Sequence, residues 1–335
     1  GISTGSESGS FFHAMWSGAC AGTNGFVGRF LRYDQRPGRE DTRGDDGLTW
    51  YERTERRYPD QQEFHRMYPR NAVEAFIAAG GCPFTIETIE YYLQSVVKPW
   101  LAKGGLLGKI PSTLNEFLDF DELQIWEMPM AGESYIASSD PASGEEGKDY
   151  SATQILKLSS LEQVAELRTH KDIDVYTNGT WELARWYNTA ELVVERNNHG
   201  YTVLNLLINH LFYSNIYKHN DPIDQVEKRR AAATDTGKYG WPSTRPNNAL
   251  RDNTIISGTR EFAIKICSAR WWDEATAFVR KSDGSYGASR RAHDDLITSM
   301  GMAYLVALSR TRRINRSPKV RMRTSRNPAF KERWS

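Results

Sequence analysis

The sequence predicts a mixed α/β fold, strands first and then helices alternating with strands. Three stretches carry that reading. From Ser134 the pattern becomes strand, turn, strand: Ser134-Tyr135-Ile136-Ala137-Ser138-Ser139 runs into Asp140, Pro141 to Lys148 holds two glycines and a proline, and Tyr150 to Leu158 returns. The short apolar run Leu192-Val193-Val194 closes on Glu195. The turn Asn197-Asn198-His199-Gly200 then delivers the chain into a helix, Tyr201 to Phe212, with Leu204, Leu207, Ile208 and Leu211 on one face. A final helical stretch, Leu296 to Leu308, turns Met300, Tyr304 and Ala307 inward, with Asp294-Asp295 at its start.

The remaining elements follow from the same patterns. Ile2-Ser3-Thr4-Gly5-Ser6 reads as a strand end running into a turn, Phe11 to Cys20 as a helix, and Thr23 to Tyr33 has strand character. Gln35 to Arg66 is heavily charged, contains Gly44-Asp45-Asp46-Gly47 and reads as an excursion; Tyr68-Pro69 leads to a short helix from Ala72 to Phe76. Ile86 to Leu101 fits a helix, with Ile86, Ile89, Leu93, Val96, Val97 and Trp100 at i/i+3/i+4 spacing. A loop with Gly104, Gly105, Gly108 and Pro111 follows, and a domain boundary is expected near residue 128. Beyond it, Leu161 to Leu167 reads as a third strand, Gly179 to Thr189 as a helix and Asn215 to Lys218 as a strand. Asp221 to Asn247 reads as loop or hairpin, Ala249 to Ser268 as a helix and Ala277 to Lys281 as a strand.

With 335 residues, 39% hydrophobic and 25% charged, the chain can bury a substantial core. No apolar run reaches membrane-span length and no signal peptide is visible. The three cysteines (Cys20, Cys82, Cys267) are scattered and form no CxxC, which suggests neither a disulfide framework nor a zinc site and fits a reducing, intracellular setting. Net charge is only +1, but Arg310 to Ser335 holds ten Lys or Arg and a single acid, Glu332. A tail of that composition is expected to be disordered and to touch nucleic acid or acidic protein, although a solubilising terminus explains it equally well.

Each acid that closes an apolar run has a plain structural explanation. Asp140 before Pro141 can simply start a turn, Glu195 can pair with Arg196, and Asp294-Asp295 can complement a helix dipole. Two adjacent acids differ by about 100° around a helix axis, so at most one of them points squarely at a single site. Together they support a stronger reading. Carboxylates distant in sequence, each seated at an element's end, can converge; once gathered they repel unless divalent cations sit among them. Asp149 is a further ligand candidate across the same hairpin as Asp140. Mg²⁺ or Mn²⁺ suits such oxygen donors, and two ions about 4 Å apart activate water on one side of a phosphate and stabilise the leaving oxygen on the other. His199 and His293 flank two of the acids, and His293 could assist proton transfer. Lys148, Arg196, Arg280, Lys281, Arg290 and Arg291 lie near the acids in sequence and are candidate phosphate contacts; residues 280 to 291 read as a basic hairpin around Ser282-Asp283-Gly284-Ser285-Tyr286-Gly287. The stretch Gly104 to Lys109 is not a P-loop: its glycine spacing is short and Ile110 follows Lys109 where Ser or Thr is required.

These motifs, in this order, resemble the nuclease domain of tailed-phage terminase large subunits. Residues Ser134 to Gly144 with Lys148-Asp149-Tyr150-Ser151-Ala152 are similar to that family's opening hairpin, Leu192 to Gly200 to its second acidic motif, and His293-Asp294-Asp295-Leu296 to its third. Tyr68-Pro69 with Glu74-Ala75-Phe76 resembles the segment leaving the packaging ATPase, and Ile2-Ser3-Thr4-Gly5 its coupling motif. The resemblance implies an RNase H-like nuclease at 129–309, preceded by an ATPase remnant and linker at 1–128 and followed by the basic tail at 310–335. It implies a metal-dependent endonuclease cutting concatemeric double-stranded DNA, with Asp140, Glu195, Asp294 and Asp295 as ligands and Asp149 as a secondary one. The implied partners are the portal protein, a small terminase subunit and an oligomeric ring on the procapsid; the implied setting is the host cytoplasm, with no membrane. The family's Walker segments would lie before residue 1, so a fragment is expected, unable to hydrolyse ATP by itself.

Overall fold

The computed structural model describes residues 11–20, 24–59, 61–72, 74–75, 81–101, 103–118, 121–145, 147–219, 238–289 and 292–316. Ten strands are present among them. They are β1 (Leu123–Ile125), β2 (Tyr135–Asp140), β3 (Ser151–Lys157), β4 (Glu162–Thr169), β5 (Glu191–Arg196), β6 (Lys218–His219), β7 (Lys238–Tyr239), β8 (Trp241–Pro242), β9 (Phe278–Arg280) and β10 (Tyr286–Ala288). Six of them build one mixed sheet in the order β1-β4-β3-β2-β5-β8. Along its first four strands each neighbouring pair is antiparallel. β5 then runs parallel to β2, and β8 parallel to β5.

Side chains alternate across a strand, so each strand feeds two cores. Ile136, Ala152, Leu156 and Val193 face one, closed by helices Ile86–Ser95, Arg245–Arg260, Ala269–Thr276 and Asp295–Arg316. Tyr135, Ala137, Ile155, Leu192 and Val194 face the other, closed by Ile173–Trp186 and by Asn198–Asn205 with its continuation to His210. Burial on both faces explains why Leu192-Val193-Val194 is an unbroken apolar run rather than an alternating one. On the first face the helices Arg245–Arg260 and Asp295–Arg316 approach closely: a Cβ on Gly258 would stand 2.3 Å from the Tyr304 ring, and one on Gly301 2.8 Å from Arg251 Cγ.

Several expectations shift. Residues 24–32 form no strand; Phe26, Val27 and Leu31 are exposed, and no strand among the described residues pairs with this segment. The charged excursion contains two helices, Trp50–Glu55 and Gln61–Met67, the first started by a capping box between Thr49 and Glu52. The helix expected to Leu101 stops at Ser95, and the backbone of Leu101 reaches Ile125 instead. The helix expected from Gly179 begins at Ile173, and the one expected from Ala249 spans Arg245–Arg260. Helix Ala269–Thr276, with Trp271 and Trp272 in the core, lies between the helix expected to Ser268 and the strand expected from Ala277, where the sequence pattern marks no element. The boundary near 128 does not separate two cores, because β1 pairs with β4 and Phe84, Ile89 and Tyr92 pack in the first core. The break expected at Arg310 falls inside a continuous helix to Arg316. The expectations for residues 2–6 and for 317–335 lie outside the described residues. No helix among the described residues is long and apolar enough to cross a membrane.

Candidate metal centre

β2 and β5 are parallel neighbours whose last paired residues are Ser139 and Val194, so Asp140 and Glu195 come next, side by side. Strand alternation puts Asp140 on the face of Ile136, and Glu195 on the face of Val193. Both therefore leave the sheet towards the helix Asp295–Arg316, whose first residue is itself one of the acids. Asp140, Glu195, Asp294 and Asp295 line a single cleft of roughly 540 Å³, with Asp149 and Lys148 contributed by the β2–β3 connection.

The acids are held from behind. Asn197 accepts a bond from the Gly200 N–H (2.7 Å), capping the next helix, and its amide donates to Glu195 Oε2 (3.0 Å) and to the Pro141 carbonyl (3.1 Å), with Asp140 Oδ1 at 3.5 Å. Gly200 is required here by proximity: a Cβ would lie 1.7 Å from the Glu195 carbonyl oxygen. Asp295 accepts from the Tyr150 N–H (3.0 Å) and Asp294 from the Ala288 N–H (3.1 Å). Behind Glu195 lies the buried Arg251, its Nη1 3.7 Å from Glu195 Oε1 and its Nε 2.8 Å from Asp252.

Like charges gathered in low dielectric resist ionisation. Burial pushes the Asp140 carboxyl well above its usual range, Glu195 and Asp295 push it further, and Arg251 opposes. Burial likewise lifts Asp295 to about 7, helped by Asp294 and Asp149 against the pull of the Tyr150 N–H. Asp252 is also raised by burial, although Arg251 counteracts. His293 sits 3.6 Å from Asp149 and 3.7 Å from Asp295, and burial together with Arg168 holds its imidazole below the ordinary value. Ligand atoms of Asp149, His293 and Asp295 all lie within 4.8 Å of one another.

The basic candidates divide. Lys148 lines the cleft, exposed and paired with Glu145. Lys281 crosses Gly287, where a Cβ would lie 2.4 Å from the amine and 3.4 Å from Asp294 Oδ2. Arg280 is exposed on β9, and Arg290 and Arg291 lie outside the described residues. Arg196 does not join the set: one position beyond Glu195, it turns to the opposite face, against Gly240. Sequence reading missed Asn197, Arg251, Asp252 and the Tyr150 N–H. Asn197 was findable as a helix cap; a backbone N–H and two adjacent buried charges leave no such signal.

Three antiparallel strands, then two strands parallel to the first, with an acid ending each of the two adjacent central strands, is an RNase H-like arrangement. Among solved structures, the chain is similar to the large terminase nuclease from thermophilic phage G20c: 13% identity, TM-score 0.43, covering 67% of this chain and 98% of that one. The same nuclease with bound magnesium gives 14%, 0.47, 68% and 97%, and the large terminase nuclease domain of Thermus phage P74-26 gives 14%, 0.41, 65% and 93%. No protein-family model matches the chain, and no curated protein matches it in sequence.

Proposed function

We propose that this chain is a divalent-cation-dependent DNA endonuclease, the nuclease of a large terminase. The observation that carries the reading is the convergence of Asp140, Glu195, Asp294 and Asp295 on one cleft from three separate elements. The donor set fits Mg²⁺ or Mn²⁺: it is all oxygen, it is crowded, and burial and mutual repulsion hold the Asp140 and Asp295 carboxyls above their usual range, a cost that bound positive charge would relieve. Asp140, Glu195 and one or both of Asp294 and Asp295 would hold the ions, with Asp149 at the rim. Bound there, such cations supply an activated water and stabilise the leaving oxygen of a phosphodiester. The chain's own contribution is positional. Asn197 fixes Glu195 beside Asp140, the Tyr150 and Ala288 N–H groups aim Asp295 and Asp294, and Lys148 and Lys281 meet phosphate at the rim. The substrate on this reading is concatemeric double-stranded DNA, cut as packaging starts and ends, with portal, small terminase subunit and a ring on the procapsid as partners in the host cytoplasm.

Supercoiled plasmid incubated with Mn²⁺ or Mg²⁺ should be nicked and linearised, and Asp140→Asn should abolish this without unfolding the protein. Plasmid left intact by folded protein under every metal would sink the proposal and favour a binding module; selective cutting of four-way junctions would favour a recombination nuclease.

A further inference from the structure

The buried pair on helix Arg245–Arg260 is costly to place beside a cluster of acids, since taking two charges out of water is repaid only by close geometry. Arg251 and Asp252 are 6% and 3% exposed. Arg251 directs Nε and Nη2 at Asp252 Oδ1, both at 2.8 Å, while Nη1 stops 3.7 Å from Glu195 Oε1. The Nε contact is a charge-assisted hydrogen bond and the Nη2 contact a close ion pair on the same oxygen; the Nη1 approach to Glu195 is beyond hydrogen-bond reach. The stem is packed as well, its Cγ lying where a Cβ on Gly301 would be 2.8 Å away. A guanidinium this near a carboxylate would ordinarily close on it in a bidentate pair. Here its fork is already engaged.

We infer that Asp252 is a restraining residue that holds the Arg251 guanidinium back from Glu195, so that Glu195 Oε1 stays available to a divalent cation. Arg251 is then a positioning residue. It lends Glu195 positive potential from behind, without occupying the oxygen the cation needs. Freed from Asp252, the guanidinium would move onto Glu195 and compete with the metal for it. The inference rests on the reading of Glu195 as a metal ligand.

The test is Mn²⁺ binding by isothermal titration calorimetry, with circular dichroism to confirm folding. Asp252→Ala should weaken Mn²⁺ binding about tenfold or more, in the range seen when groups that orient metal ligands are removed. Asp252→Ala combined with Arg251→Met should restore binding to within about threefold of wild type, an outcome a merely structural role cannot produce, because the second substitution removes yet another buried contact. Should Asp252→Ala fail to fold, Asp252→Asn, which keeps an acceptor but loses the charge, should weaken binding in the same direction by less. Wild-type protein that binds no Mn²⁺ overturns the metal reading together with this inference. Wild-type binding with the Asp252 variants unchanged, or with no rescue by Arg251→Met, overturns this inference alone.

Discussion

Strand β5 carries a glutamate at each end, both on the same face and both met by the same helix, yet the two ends are opposites. At its start, Glu191 receives Arg310, with Nε at 2.7 Å and a second guanidinium nitrogen closing the fork. At its end, Glu195 faces Asp140 and the acids that open the helix, with Arg251 kept at 3.7 Å. One pole is charge satisfied within the fold. The other is like charge crowded together, which costs the free protein stability and is relieved only by something brought from outside. Stability and function thus sit on one strand, four residues apart, separated by the sign of a single partner.

The sharpest way to break the comparison is Asp140→Asn. Plasmid cleavage should fall at least about a thousandfold, while the melting temperature in EDTA rises by about 2–4 °C as a carboxyl whose ionisation burial and its acidic neighbours oppose is removed; a lower melting temperature in EDTA would contradict the account of the acidic pole. Gly200→Ala comes next. The added Cβ collides with the Glu195 carbonyl, so the helix at Asn198 must retreat and carry Asn197 with it, and cleavage should drop about 10- to 100-fold. Normal cleavage kinetics from a folded Gly200→Ala protein would show that Asn197 does not set the geometry. Glu191→Gln addresses the satisfied pole: chemical denaturation should report a loss of about 1 kcal/mol, because the pair is partly exposed, with a smaller fall in cleavage than Gly200→Ala gives.

The smallest effect concerns a third acid. Burial works against ionised Glu74, but His65 at 2.7 Å and Arg70 outweigh it and hold Glu74 below its ordinary 4.5. The same contact raises His65 above 6.5 despite its burial. His65 binds its proton more tightly in the folded chain, so its contribution is complete below pH 6.5 and fades as pH rises through its raised value. Glu74 contributes fully above pH 4.5 and fades as pH falls through its lowered one. Urea unfolding followed by tryptophan emission should therefore place the pair's full effect between those limits, and His65→Gln should remove the alkaline slope and, because His65 helps hold Glu74 low, change the acid side as well. An alkaline slope that survives His65→Gln would assign it to another group.

Much of the centre was legible because it sits where sequence patterns end. An apolar run that stops on glutamate, and a strand that stops on aspartate before a Pro–Gly turn, announce positions at the ends of strands, and parallel pairing does the rest. The hairpin β2–β3 and the helix after Asp294 were readable for the same reason. Other parts were not. Helix Arg245–Arg260 is polar along much of its length, so nothing in its spacing marked Arg251 and Asp252 as interior. Residues 24–32 have apolar content suited to a strand but no partner strand among the described residues, and extended backbone without a neighbour gains no ladder of hydrogen bonds. Arg196 was placed near the acids by sequence distance, which strand alternation overrules.

The helix that starts at Asp295 is also the one that presents Arg310. Fifteen residues of α-helix span about 22 Å and complete a fixed number of turns. The clamp at Glu191 therefore acts as a phase reference for the cleft: with Arg310 anchored, the direction of Asp295 is set by residue count. Adding or removing one residue between them would rotate one end against the other by about 100°, and the protein could keep its anchor or its aim, but not both.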